Sequence, residues 1–216
     1  MLSCPYETFP ALASLSVVHA FTGRVPGLDV RIDRESALER LAHYHDELRA
    51  SIGLGARRYV TAGQTHGAGV AVVNASSPDQ IPDVDALITN NPEVCLGIYV
   101  ADCGPVWLVD PERGAIGCVH SGRKGTELGV VPAAIEAMVT TFGCDPSRMI
   151  AQLGPCIRPP NYEVDFAAAI IAQCRAAGIG AVFDSGACTA TDADRYYSYR
   201  REQGKTGRML ALLALA

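Results

Sequence analysis

Absences narrow this chain first. Its 216 residues hold no C-x-x-C pair, no G-x-G-x-x-G turn and no P-loop. That removes the simplest structural-zinc, thioredoxin-like, dinucleotide and P-loop nucleotide readings. No hydrophobic run is long enough to cross a bilayer, and the opening MLSCPYETFP has neither a basic n-region nor an apolar h-region. The expectation is a cytoplasmic chain without a membrane partner. Basic charge is also short: 18 Lys and Arg stand against 23 Asp and Glu, a net charge of −5. Such a balance argues against the nucleic-acid backbone as partner and favours a small molecule.

What is present is a large apolar fraction, 49%, enough to build a full core. At this length the reading is one domain over residues 1–216, a monomer or small homo-oligomer. The eight cysteines, in a chain read as cytoplasmic, are expected to be reduced thiols rather than a disulfide framework.

The hydrophobic pattern alternates between two periods. SVVHAF (16–21) reads as a strand. Asp33 caps a following helix whose Leu38, Leu41, His45 and Leu48 share one stripe until Gly53 ends it. His45 thus borders the core, while His43 lies on a more polar face. From 57 to 121 short β-rich runs dominate, and VWLVD with AIGCVHS forms a hairpin that brings ADC and VHSG to one end. Helix is expected again from about Leu128 to Phe142, then a strand in MIAQLG and a helix in DFAAAIIAQCRAAG. The basic, aromatic stretch DRYYSYRREQGKTGR reads as a solvated segment leading into a buried final element. Strands and helices without regular alternation indicate an α+β domain.

Two imidazoles and a thiol stand beside glycines: His66 in QTHG, Cys103 in ADCG and His120 in VHSG. They suit an open three-ligand zinc site, yet no pair has a helical i, i+4 spacing. Spacing alone also allows two structural histidines and a thiol packed as a small hydrophobe. Asp102 is either a residue that orients a ligand or relays a proton, or a turn aspartate bonding its own backbone. Gln64 lies two residues before His66, on the same face if the segment is extended, within reach of a substrate. Cys118 shares that alternation with His120 and is read as a packing residue.

Taken in order, HAFTGR (19–24), QTHG (64–67), DALIT (85–89), ADCGPVWLVD (101–110), VHSGRKG (119–125), LGPCI with YEV, and SYRR with TGRM resemble the YfiH family. This family is also called the laccase-domain or multicopper polyphenol oxidase family and is associated with purine nucleoside phosphorylase activity. The resemblance runs nearly end to end. It implies a sandwich of mixed β-sheets flanked by helices, a metal site of His66, Cys103 and His120, and phosphorolysis of purine nucleosides, with adenosine deamination alongside. Five histidines, two of them on a helix, are too few for four-copper chemistry, so zinc is favoured over copper.

Zinc in a two-His, one-Cys set lowers the pKa of its water to roughly 7. Phosphorolysis needs cations to hold phosphate, and Arg24, Arg123 and Lys124 are the candidates. The segment after the second histidine departs from the family's H-A-G-W-R-G, with Arg123 at the tryptophan and Lys124 at the arginine. Exchanging arginine for lysine loses bidentate geometry. Two other readings use the same residues: a metal-free amide hydrolase with Cys103 as nucleophile and His120 as base, and a catalytically silent protein that binds zinc and nucleoside.

Overall fold

The computed structural model describes residues 4–216. In chain order its strands are β1 (Tyr6–Glu7), β2 (Val17–Thr22), β3 (Arg58–Ala62), β4 (Val70–Val72), β5 (Gln80–Ile81) and β6 (Ala86–Thr89), then β7 (Val94–Val100), β8 (Gly104–Asp110), β9 (Ala115–Ser121), β10 (Ile150–Leu153), β11 (Ala181–Asp184) and β12 (Met209–Leu215). Among the described residues the α-helices are α1 (Pro10–Ala13), α2 (Arg34–Ser51), α3 (Arg123–Glu127), α4 (Val130–Phe142) and α5 (Phe166–Ala176). The strands form two mixed six-stranded sheets, ordered β1-β2-β12-β7-β3-β5 and β11-β10-β8-β9-β6-β4.

One core lies between the sheets. Val60, Leu96, Ile98, Met209, Ala211 and Leu213 of the first meet Leu87, Trp107, Val109, Ile116 and Cys118 of the second. Trp107 is fully buried there, and its Nε1 donates to the Leu212 carbonyl at 2.9 Å, so one side chain fastens β8 to β12 across the sandwich. A second core fills the space between the other face of the β8/β9 sheet and helices α4 and α5. Strands β8 and β9 of the second sheet are therefore buried on both faces, which is why VWLVD and AIGCVHS read as nearly continuous apolar runs.

The β8/β9 hairpin forms in the expected register, with Pro105 opposite His120 and Gly104 opposite Ser121. Asp33 caps α2 by accepting from the Ser36 N–H at 3.0 Å. Cys118 packs between the sheets, and all eight cysteines are free thiols. The helix expected from about Leu128 to Phe142 forms as α4, and a further short helix, α3, precedes it, set apart by Gly129 at φ = 77°, a left-handed conformation. One expectation needs correction. The stretch before the last strand is not simply solvated. Tyr196 and Tyr197 are buried in the inter-sheet core, since β12 pairs at the middle of its sheet and draws the preceding residues inward.

Candidate metal centre

Three chain reversals meet at one end of the sandwich. His66 lies in the loop between β3 and β4 with φ = 60°, Cys103 follows Asp102 (φ = 85°) at the turn from β7 into β8, and His120 is near the end of β9. One ligand atom from each of His66, Cys103 and His120 lies within 4.8 Å of the others. The imidazoles meet edge to face, centroids 4.8 Å apart. Gly122 closes the set, because a Cβ there would stand 2.5 Å from the Cys103 sulfur.

A buried carboxylate that opens the DALIT motif, and was not among the candidate site residues, holds this arrangement. Asp85 precedes β6 and is fully buried. Its Oδ1 bonds His120 Nδ1 at 2.7 Å and accepts the His66 N–H at 3.0 Å, while Oδ2 accepts the N–H groups of Gly67 (2.7 Å) and Thr65 (3.2 Å). One carboxylate therefore clamps the His66 loop and selects the His120 tautomer, leaving Nε2 as the free ring nitrogen. Burial alone would raise its pKa, but the His120 hydrogen bond and the backbone donors outweigh it and hold Asp85 down at about 2.

Burial likewise opposes charge on Cys103, yet the His120 charge and hydrogen bonds from both histidines bring the thiol down to about 6. Desolvation works against protonated His120 too, and the Cys103 and Asp85 charges reverse it, so its pKa is raised. The donor set of two ring nitrogens and one sulfur, the carboxylate behind it and the depressed thiol all fit a zinc-type ion with one coordination position open to the cavity. In metal-free protein, iodoacetamide should modify Cys103 at a rate that is level above neutrality and falls as pH drops through about 6, because only the thiolate reacts. A rate still climbing at pH 8, as for an ordinary thiol, would refute this coupling.

The trio opens into a cavity of about 870 Å³. Arg34, Arg123, Lys124, Arg200 and Arg208 line it with Asp102, Glu127, Tyr99, Ile157, Tyr162, Phe166 and Tyr199. Arg123 and Lys124 reach it from α3, and Arg123 is tied to Glu127 at 3.0 Å. Gln64 lines it as well, but its amide is spent on the Tyr99 backbone, donating to the carbonyl at 2.6 Å and accepting the N–H at 3.0 Å. Asp102 accepts from Thr189 Oγ1 (2.7 Å), Ser198 Oγ (3.1 Å) and the Arg200 N–H (2.7 Å), so its carboxylate anchors the C-terminal segment rather than a ligand.

Arg24 is not brought to this cavity. It lines a separate depression, paired with Glu202 at 2.8 Å, bonded to the Tyr196 carbonyl and stacked on Tyr197. The cations that sequence reasoning missed, Arg34, Arg200 and Arg208, come from the start of α2 and from the segment before β12. For Asp85 and Arg208 a signal existed: a charged residue directly before a largely apolar strand, in DALIT and RMLALL.

Fold and site together define an α+β sandwich carrying a His-Cys-His constellation of metal-binding type at the mouth of a cationic cavity. The chain belongs to the family described as multi-copper polyphenol oxidoreductase laccase, whose model matches residues 22–168 and 164–216. A protein of Deinococcus radiodurans named purine nucleoside phosphorylase is 36% identical, over 94% of this chain and 90% of its own length. One of Streptomyces coelicolor with the same activity in its name is 37% identical, over 74% and 76%. In fold, the chain matches the crystal structures of YlmD from Geobacillus stearothermophilus (TM-score 0.83, 24% identity, 98% and 99% covered) and of YfiH from Bacillus licheniformis (TM-score 0.83, 22% identity, 93% of each).

Of the five histidines, only His66 and His120 converge. His19 accepts the Phe9 N–H at 2.8 Å, His43 is exposed on α2, and His45 is buried beneath it. Two imidazoles cannot supply a multicopper cluster.

Proposed function

We propose that this protein is a zinc-dependent purine nucleoside phosphorylase, converting a purine nucleoside and phosphate to the free base and ribose 1-phosphate, with adenosine deamination as a second activity. The observation that carries the reading is the His66, Cys103 and His120 set opening onto a cavity with five cationic side chains, in a chain whose net charge is −5. The names of its relatives point the same way. Zinc, when bound, supplies Lewis acidity and lowers the pKa of water toward neutrality.

The remaining work belongs to the chain's own residues. Tyr162, Phe166 and Tyr199 offer flat apolar surface for a purine ring. Arg208 is the strongest candidate for holding phosphate. It is 8% exposed, its Nη1 donates only to the carbonyls of Thr206 (2.7 Å) and Gly207 (2.9 Å), and among the described residues it pairs with no carboxylate. A buried guanidinium without a counter-ion is stabilised by an incoming dianion. Removing a charged hydrogen bond costs about 1.5–3 kcal/mol, so Arg208→Ala should raise the KM for phosphate about 10- to 100-fold. An unchanged phosphate saturation curve would exclude Arg208 from that role.

The decisive experiment incubates zinc-loaded protein with inosine and adenosine, with and without phosphate, and separates the products. Adenine or hypoxanthine that appears only with phosphate is the expected result, and inosine from adenosine reports the deaminase. Metal-replete protein inert toward purine nucleosides would overturn the reading and leave the silent zinc-binding alternative, with Arg123 and Lys124 as the altered residues. One arrangement favours a second chemistry: Cys103, His120 and Asp85 form a thiol, base and orienting carboxylate in line. A metal-free amide hydrolase of this kind keeps its activity in chelator, whereas the phosphorylase loses it.

A further inference from the structure

Away from the metal centre, Cys156 and Cys188 are cross-strand neighbours in an isolated parallel bridge. The Cys156 N–H donates to the Ala187 carbonyl at 3.3 Å and the Thr189 N–H to the Cys156 carbonyl at 3.2 Å. Partners in such a pairing stand roughly 5 Å apart at Cα with side chains on the same face, inside the range a disulfide spans. Both side chains pack in the cluster beneath α5, Cys156 fully buried and Cys188 at its partly open edge. The Asn161 side-chain amide donates to the Cys188 sulfur at 3.5 Å.

We infer that Cys156 and Cys188 are a peroxide-responsive dithiol, with Cys188 the attacking thiol and Cys156 the resolving one. The roles follow from exposure and environment. Of the eight cysteines only Cys4, Cys103 and Cys188 are partly open, and burial pushes Cys4 up to about 11. Cys103 belongs to the metal set. At Cys188, burial is outweighed by hydrogen bonds from Thr191, Ala190 and Asn161, and the thiol is lowered. Burial raises Cys156 to about 12, so it reacts by proximity to Cys188 rather than with peroxide in solution.

The chemistry closes with hydrogen peroxide as oxidant. The Cys188 thiolate attacks one peroxide oxygen, an S–O bond forms, the O–O bond breaks, and hydroxide leaves and takes up a proton as water. Cys156 then attacks the Cys188 sulfur. The S–S bond forms, the S–O bond breaks, and the departing hydroxide takes the Cys156 proton as a second water. Two thiols are oxidised by two electrons in all and one peroxide is reduced. The pair adjoins Ile157 and Thr189, which both bond Asp102, the residue before Cys103.

The test treats the zinc-loaded chain with dilute peroxide, blocks remaining thiols with N-ethylmaleimide and maps peptides by mass spectrometry. The expected result is a Cys156 to Cys188 cross-link, an intact mass lower by about 2 Da before blocking, and full reversal by dithiothreitol. With dimedone present, Cys156→Ser should accumulate an adduct on Cys188. Should that variant fail to fold, Cys188→Ser, at the open edge, must abolish the cross-link. Cys188 and Cys156 both recovered as maleimide adducts after peroxide would overturn the inference. So would Cys188 bridged to Cys103 or to a second chain. The readout is mass alone, so it stands or falls independently of phosphorolysis.

Discussion

On the proposed zinc-dependent phosphorolysis, Cys103→Ala is expected to release the metal and to lower purine release on the order of 10³-fold, about 4 kcal/mol in the barrier. The thiolate is the one anionic ligand of the set, and two neutral imidazoles 4.8 Å apart retain zinc poorly. The loss should be specific to the site. Cys103 is only partly buried at the cavity wall, and its sulfur faces Gly122, so truncation empties no closed core. Metal analysis, phosphorolysis rates and a melting curve on the same preparation separate the effects. Zinc at one equivalent with an unchanged rate would sink the metal assignment. A retained rate with no zinc in either protein would mean that the cavity works without the trio.

Asp85→Ala should be the more damaging substitution for the fold. It removes one fully buried carboxylate and leaves the Thr65, His66 and Gly67 N–H groups and the His120 ring without their acceptor. Deleting one member of a buried, hydrogen-bonded charge pair costs about 3–5 kcal/mol, which in a chain of this size lowers Tm by roughly 10–15 °C. Loss of a carboxylate behind a ligating histidine should also weaken zinc about 10- to 100-fold. Calorimetry and competition with a metal chelator measure the two parts. An unchanged melting temperature together with unchanged zinc affinity would mean that the His66 loop is held by something other than Asp85.

Several elements were legible from residues alone, and each is local. Asp33 with Ser36, the Leu41, His45 and Leu48 stripe, which Ala37 rather than the half-buried Leu38 completes, and the short turn between VWLVD and AIGCVHS involve neighbours a few positions apart, where capping and periodicity operate. The short helix α3 was missed because five residues just after a strand are too few to show a helical period. His66, Cys103 and His120 stood out as residue types, and the motif order tied them to one family, but their spacing carried no geometry.

Non-local pairing brought the rest together. The final strand β12 inserts between β2 and β7 rather than at an edge, so Tyr196 and Tyr197 become core and Arg208 becomes a buried cation facing the site. Asp85 acquires its role only because β6 pairs with β9, setting the carboxylate against a histidine 35 positions away. Arg24 shows the converse: it was chosen for its charge, and the C-terminal segment places Glu202 and Tyr197 against it and keeps it out of the cavity. Composition and order thus specified the element types, the candidate ligand set and the family. Which charges meet the ligands depended on long-range strand register, because a side chain's partners across a sheet are set by pairing partners far away in the chain.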